Sequence, residues 1–430
     1  MRQRRSLVFL LLAIAALRMG FSSGRDLWFT IAYLLGLMLV VSFFWSLINL
    51  RSTKISRVTR TRRTQVGQPL EERILVTNTS VIPKLWIEVR DSSTFPDHNL
   101  SRVVTGLAPR KRYGWRVNTL SRLRGRYRLG PMLIRTSDPF GLFPMERVVD
   151  ATTNVVVYPQ TVDVFAFNLP SGVLSGGDAL RRRAFQVTTN AAGVRDYAPG
   201  DSFSRIHWRS TARRNRLIVK EFELDPQTDI WLVPDMSAAA QVGLTRTQAM
   251  RSEQDSPADP SEIVLPLSTE EYIVTIAASL ARHFLRQDRA VGLMANGQSA
   301  EFVQPDRGER QTNKLLETLA VLRARGEMDI ANTLLTQSNR FQRGTTIIVI
   351  TATTEPTWAA SARELVRRGL RVQTVLVNPA GFVGEDDEPV SADGLHSLLQ
   401  LNAVSTLYIN AGDNLSEALS GTRKSAFHVT

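Results

Sequence analysis

Leu27 to Leu50 is a run of 24 residues without a charge, and no other feature limits this chain's fold as strongly. As a helix it is about 36 Å long, enough to cross a hydrocarbon layer of roughly 30 Å with some tilt. Trp28, Tyr33 and Trp45 lie toward its ends, where amphipathic rings favour the interface. The length argues for a membrane span over a buried core helix. Ser6 to Phe21 is a shorter apolar run broken by Arg18. It reads either as a first span with Arg18 snorkelling outward or as a signal peptide, given Arg2, Arg4, Arg5 and the small residues Ser22-Ser23-Gly24. Leu27 follows too closely for a processed N-terminus, so a helical hairpin is the reading adopted. Both alternatives leave the rest of the chain inside. Arg51, Lys54, Arg57, Arg60, Arg62 and Arg63 follow the span, and bases flanking a span mark its cytoplasmic side. The expected location is therefore the cytoplasmic membrane, multi-pass, with bilayer lipid as a contact and the soluble domains in the cytoplasm.

The net charge of +13 is concentrated beside the helices. Residues 1–63 hold eleven Lys or Arg against one acid, whereas 226–430 hold eighteen against twenty-four. Membrane topology accounts for such clustering, so no nucleic acid is expected as a partner. The chain has no cysteine, which excludes disulfides, thiolate metal sites and cysteine nucleophiles.

Five segments are expected: a transmembrane hairpin (1–50), a basic juxtamembrane stretch (51–63), a β-sandwich (64–165), a charged linking segment (166–225) and an α/β domain (226–430). Short strands bounded by turns fill the sandwich region. Tyr113, Trp115 and Val117 alternate with Gly114, Arg116 and Asn118, the period of a half-buried strand. Strand spacing of this kind suggests an immunoglobulin-like sandwich. Arg124-Gly-Arg-Tyr-Arg-Leu-Gly-Pro131 reads as a strand ending in a turn. In Ser137-Asp-Pro-Phe-Gly-Leu-Phe143, Phe140 and Phe143 are expected to plug the sandwich end.

The stretch from 193 to 223 is the most unusual. Gly193-Val-Arg195-Asp196-Tyr197-Ala-Pro199-Gly200-Asp201 leads to Arg205-Ile-His-Trp208, Ala212-Arg213 and Leu217-Ile-Val-Lys220-Glu221-Phe-Glu223. Pro199-Gly200 suits a type II turn, and Asp201 is placed to cap a short helix. Arginines and carboxylates nearly balance around Tyr197 and Trp208. They can pair among themselves as a structural clasp between domains, or with Trp208 and Tyr197 they can form a docking surface. Catalysis fits least, because His207 has neither a serine nucleophile nor a carboxylate pair of evident role.

This string resembles the family catalogued as domain of unknown function fifty-eight. Arg124–Pro131, Asp138–Phe143 and Val156-Val-Tyr-Pro159 resemble its upstream landmarks. The resemblance implies a membrane-anchored companion of MoxR-type AAA+ ATPases with a C-terminal von Willebrand factor A-like domain.

The residues of 226–430 agree with an alternating β/α order. Asp229–Pro234, Ala290–Ala295, Thr345–Ile350, Arg371–Val377 and Ser405–Ile409 read as strands. A capping box at Ser268-Thr-Glu-Glu271 starts a helix with Ile273, Ile276, Leu280 and Phe284 on one face. Such alternation predicts a doubly wound, mostly parallel sheet. Domains of the implied type bind Mg²⁺ through Asp-x-Ser-x-Ser at the sheet's carboxyl edge. Here the loop is Asp235-Met-Ser237-Ala-Ala239, so the third ligand position is alanine, and no aspartate directly follows Ile350. Asp235 and Ser237 remain weak metal candidates. Residues 238–267 are polar and read as a solvated or contact loop, and Glu385-Asp-Asp-Glu388 as a solvated one.

There is no Walker A loop, no GxGxxG after a strand, no HExxH and no GxSxG. The expected function is non-enzymatic and without cofactor: a membrane-tethered adaptor or assembly factor working with a MoxR-type AAA+ ATPase. Two alternatives stand beside it, a metal-dependent hydrolase using Asp235 at the sheet edge and a membrane-tethered binder of anionic polymers using the basic surface of 102–128.

Overall fold

The computed structural model describes residues 4–169, 191–197, 206–222, 229–243, 265–383 and 390–421. It is a mixed α+β chain that opens with two apolar helices, α1 (Arg4–Ser23) and α2 (Asp26–Arg51). Both are long and apolar enough to cross a membrane. The helices turn back on each other at residues 24–25, where Phe21 meets Phe29 edge-on at 5.2 Å. A Cβ at Gly20 would sit 3.1 Å from the Phe29 ring, so a residue without one lets the helices close beside their turn.

Packing divides the chain into two compact units, each assembled from separated segments. One comprises Met1–Asp163, Gly243–Ser279 and Thr312–Ala324; the other comprises Val164–Val242, Leu280–Gln311 and Arg325–Thr430.

The first unit holds two antiparallel sheets around one apolar core. β1 (Thr53–Thr59), β3 (Pro69–Asn78) and β6 (Arg112–Leu120) form one. The other contains β4 (Lys84–Asp91), β5 (Arg102–Leu107), β8 (Met132–Thr136) and β9 (Met145–Val149), in the order β5-β4-β8-β9. Ile74, Val76 and Trp115 from the first sheet pack with Ile87, Val89, Val104, Met132 and Ile134 from the second. A third sheet joins β2 (Arg63–Gln65), β10 (Thr153–Tyr158) and β7 (Gly125–Leu129), with its own core of Leu70, Phe95, Tyr127, Leu129, Val155 and Val157. β1 starts two residues after α2 ends, so the sheet takes up much of the basic stretch expected to be juxtamembrane, and Arg57 lies inside the sandwich.

The second unit is built on a six-stranded sheet. Its strands are β13 (Ile230–Pro234), β14 (Val291–Asn296), β15 (Ala300–Asp306), β16 (Thr346–Thr351), β17 (Arg371–Val377) and β18 (Ser405–Ile409). They run in the order β15-β14-β13-β16-β17-β18, and all are parallel except β15. Continuous Val/Ile/Leu runs are what strands covered on both faces require, and every residue of β13 and β16 is buried. In chain order, helices α4 (Thr269–Arg286), α5 (Gly308–Val321), α6 (Ile330–Gln337), α7 (Thr357–Arg367), α8 (Asp393–Leu401) and α9 (Leu415–Leu419) alternate with the strands, most of α4 and α5 belonging to the first unit. Trp231, Val233, Ile347 and Val349 pack there with Leu334 of α6, Trp358 of α7 and Leu395 of α8. The sequence expectation missed β15, α6, α8 and α9, whose segments are short or weakly periodic.

Candidate functional site

Asp235 follows β13 at the carboxyl edge of the parallel sheet. The strand order reverses between β14-β13 and β13-β16, and the crevice at such a switch point is where open α/β sheets receive ligands. The Asp235 carboxylate is already engaged. Oδ1 accepts from the Ser237 amide at 3.0 Å and the Ser237 hydroxyl at 2.7 Å, while Oδ2 accepts from Thr351 Oγ1 at 2.6 Å. Gly326 seals one side: a Cβ there would lie 2.1 Å from the Asn296 carbonyl, and its amide donates to the Met236 carbonyl. Burial pushes the Asp235 carboxyl up, the hydrogen bonds from Thr351 and Ser237 only partly opposing it. Among the described residues no three His, Cys, Asp or Glu gather where they could hold a metal ion.

The signature segment forms a small separate element. β11 (Ala191–Asp196) pairs antiparallel with β12 (Ile218–Phe222). Arg195 stands opposite Val219, Lys220 opposite Val194, and Glu221 opposite Gly193. Between the strands lies α3 (Trp208–Arg214), capped by His207, whose ring accepts from the Ser210 amide at 3.2 Å. The expected cap, Asp201, lies outside the described residues together with Pro199, Gly200 and Arg205. Tyr197 is half-buried, and its amide donates to the Leu217 carbonyl. Asp196 pairs with Arg216 at 3.0 Å across a solvated surface. Trp208 is 65% exposed, and Arg209, Arg213 and Arg214 of the same helix are exposed too. An uncovered tryptophan on a seven-residue helix that also exposes three arginines resembles the anchors of a protein interface.

A buried arginine clasp occurs in the first unit at Arg124, which reads in the sequence as the start of a strand. Its fully buried guanidinium meets Glu270 at 2.6 Å and Glu271, both in the first turn of α4, and donates to the Leu322 carbonyl at 2.9 Å. Arg323 donates back to the Arg124 carbonyl at 3.0 Å. The Glu271 carboxylate, expected to close a capping box, is thus on Arg124.

A second network fills the sandwich. Arg57 pairs with Asp91 at 2.6 Å and with Glu72 at 3.5 Å, His98 Nε2 lies 2.9 Å from Glu72, and Thr59 donates to Glu72 at 2.8 Å. Burial alone would raise the Glu72 carboxyl, but the His98 hydrogen bond and the Arg57 charge outweigh it and hold it below its ordinary value. The signal for this site was the period-2 pattern of β3, which puts Glu72 on the same face as Leu70, Ile74 and Val76.

Where α2 meets the sandwich, Lys84 is wholly buried. It donates to Asn49 Oδ1 at 3.1 Å and Ser52 Oγ at 2.6 Å, and burial lowers its pKa to about 8. Arg147 donates to the Thr53 carbonyl at 2.7 Å, and the Thr79 amide to the Ser52 carbonyl at 2.9 Å. The pair expected to plug the sandwich end is arranged otherwise. Leu142 is the buried residue, Phe143 packs edge-on against Phe43 of α2 at 5.6 Å, and Phe140 is exposed.

Comparison with known proteins finds a family match over the signature. The family described as protein of unknown function DUF58 matches residues 193–255. The chain is 24% identical over 312 residues to the uncharacterized protein YeaD of Bacillus subtilis, covering 70% of each chain. It is 26% identical over 180 residues to the uncharacterized protein Rv1480 of Mycobacterium tuberculosis, covering 40% of this chain and 50% of that one. Among solved structures, the CARDB domain of a Pyrococcus furiosus protein aligns with 24% of this chain at 17% identity, with a TM-score of 0.19.

Proposed function

We propose, for a chain whose residues 193–255 match the family of unknown function DUF58, a role as a membrane-anchored, cytoplasm-facing adaptor or assembly factor. The carrying observation is the contrast within the matched segment. Trp208 and its arginines are exposed and ready to dock, while the carboxylate best placed for chemistry, Asp235, is occupied by Ser237 and Thr351. The two apolar helices supply the anchor and the basic residues after α2 its orientation. The two-sheet unit serves as an immunoglobulin-like spacer. The second unit, with one antiparallel edge strand on a parallel sheet, serves as a von Willebrand factor A-like platform. The family resemblance supplies the partner, a MoxR-type AAA+ ATPase.

Pull-down of the full chain from native membranes in mild detergent is expected to recover an AAA+ ATPase. Trp208→Ala is expected to weaken that retention by about 2 kcal/mol, the scale of an interface anchor. Recovery of no ATPase by the unaltered chain counts against the reading. The hydrolase alternative draws on the position of Asp235 at the switch point. It requires Mg²⁺ to displace Ser237 and Thr351 from that carboxylate.

A further inference from the structure

The helix α2 is too long for the layer it is read as crossing. Its 26 residues span about 39 Å against a hydrocarbon thickness of roughly 30 Å, an excess of about 9 Å that is absorbed by tilt or carries the helix ends out of the acyl region. Ser42, Ser46 and Asn49, one stripe toward the C-terminal end of the helix, are buried. Phe43 lies seven residues before the end of the uncharged run, about 10 Å below it along the axis. Phe143 reaches that level, since its ring stands on Phe43. The loop carrying Phe143 therefore dips beneath the end of the apolar helix.

The loop is built to hold a fixed shape there. The buried Asp138 carboxylate accepts from the Phe140 amide at 3.0 Å, the Phe143 amide at 2.8 Å and the Ser137 hydroxyl at 3.0 Å. Leu142 is buried, and the shape leaves Phe140 pointing outward, 60% exposed. A Cβ at Gly141 would lie 3.8 Å from the Arg5 guanidinium of α1, so a cation that suits anionic headgroups stands beside the aromatic tip. Arg51 and Lys54, both exposed, add positive charge at the same helix end.

We propose that the loop from Ser137 to Phe143 is an interfacial anchor. Phe140 inserts at the boundary of headgroups and acyl chains of the bilayer that holds α1 and α2, with Arg5 on anionic headgroups. The occupant of the exposed aromatic face is lipid. An aromatic ring at this depth fits the preference of such side chains for the interface. The proposal rests on the reading of the two helices as membrane spans, and the test separates the two.

The chain has no native cysteine, so single-cysteine variants label cleanly. Full-length Phe140→Cys, Leu37→Cys and Ser92→Cys proteins carry an environment-sensitive fluorophore in vesicles of phosphatidylcholine and phosphatidylglycerol. Quenching is read with nitroxides attached to headgroups or to acyl chains. Leu37 is an exposed mid-helix position, and Ser92 follows the end of β4 remote from Lys84. The label at 140 is expected to be quenched by the shallow nitroxide at least about two-fold more than the label at 92, and the label at 37 by the deep one. A label at the exposed Pro139 position, with Phe140 intact, is expected to be quenched likewise and to lose that quenching when Phe140→Asp is added. Quenching at 37 with position 140 behaving like 92 overturns the anchor alone, including the case where a protein shields 140 from both probes. Absence of quenching at 37 overturns the membrane reading, and the anchor with it.

Discussion

Glu72 in the first unit and Asp235 in the second are both buried carboxylates, yet they are displaced in opposite directions. Glu72 is held below its ordinary value and Asp235 above. Each accepts short hydrogen bonds, so the count of donors does not separate them. What differs is charge. Glu72 has the His98 ring at 2.9 Å and the Arg57 guanidinium within 3.5 Å, whereas Asp235 has two hydroxyls and an amide. Neutral donors lower the cost of a buried charge without cancelling it, and a cation can cancel it. The first arrangement keeps its proton off and fastens the sandwich; the second is a closed knot at a place where a ligand could enter.

The largest effect expected from breaking this contrast is at Glu72. Glu72→Gln leaves Arg57 with less counter-charge in a dry core and is expected to cost about 3 kcal/mol in urea unfolding of the full chain. Because the Glu72 pKa is depressed, its contribution is present above the ordinary value of 4.5 and is lost as the pH falls through the lower folded value. A loss no larger than that of a surface Glu→Gln change would break the account. Lys84 adds a test from the alkaline side. Its folded pKa is about 8 and its ordinary value 10.5, so the unfolded chain holds the extra proton between them. Stability is expected to rise with pH across that window, and the rise should vanish in Lys84→Met.

At Asp235 the sign reverses. A raised folded pKa means stability is full below the ordinary value of 3.8 and declines as the pH rises toward the folded value. Asp235→Asn is expected to cost about 1 kcal/mol or less at neutral pH and to flatten that acid-side decline, as read by thermal melts. The smallest effect concerns Mg²⁺. Millimolar Mg²⁺ is expected to leave the melting temperature unchanged, and a stabilisation abolished by Asp235→Ala would reopen the hydrolase alternative.

Much of the fold was legible because its periods are strong. The uncharged run became α2, the alternation around Trp115 became β6, and the β-branched runs became β13, β16, β17 and β18. The site was less legible because its partners are distant in sequence. Arg57 read as one base among six in a topology signal, but it finds Asp91 34 residues away. Arg124 read as part of a strand, yet its carboxylates lie 146 and 147 residues downstream, and nothing local announces them. Glu72 could have been noticed, since a charge on the apolar face of an alternating strand needs a buried partner. Phe140 and Phe143 read as equivalent core plugs; only three-dimensional proximity to Phe43 separates them.

Ser52 closes α2 and Thr53 opens β1, with Thr53 Oγ1 still donating to the Asn49 carbonyl inside the helix. No slack residue lies between helix and sheet. A sandwich mounted this way cannot swivel about the end of its helix, so torque applied to it is delivered to the helix pair as tilt. With α1 and α2 in a bilayer, as proposed, a partner pulling on the sandwich works on the bilayer as well.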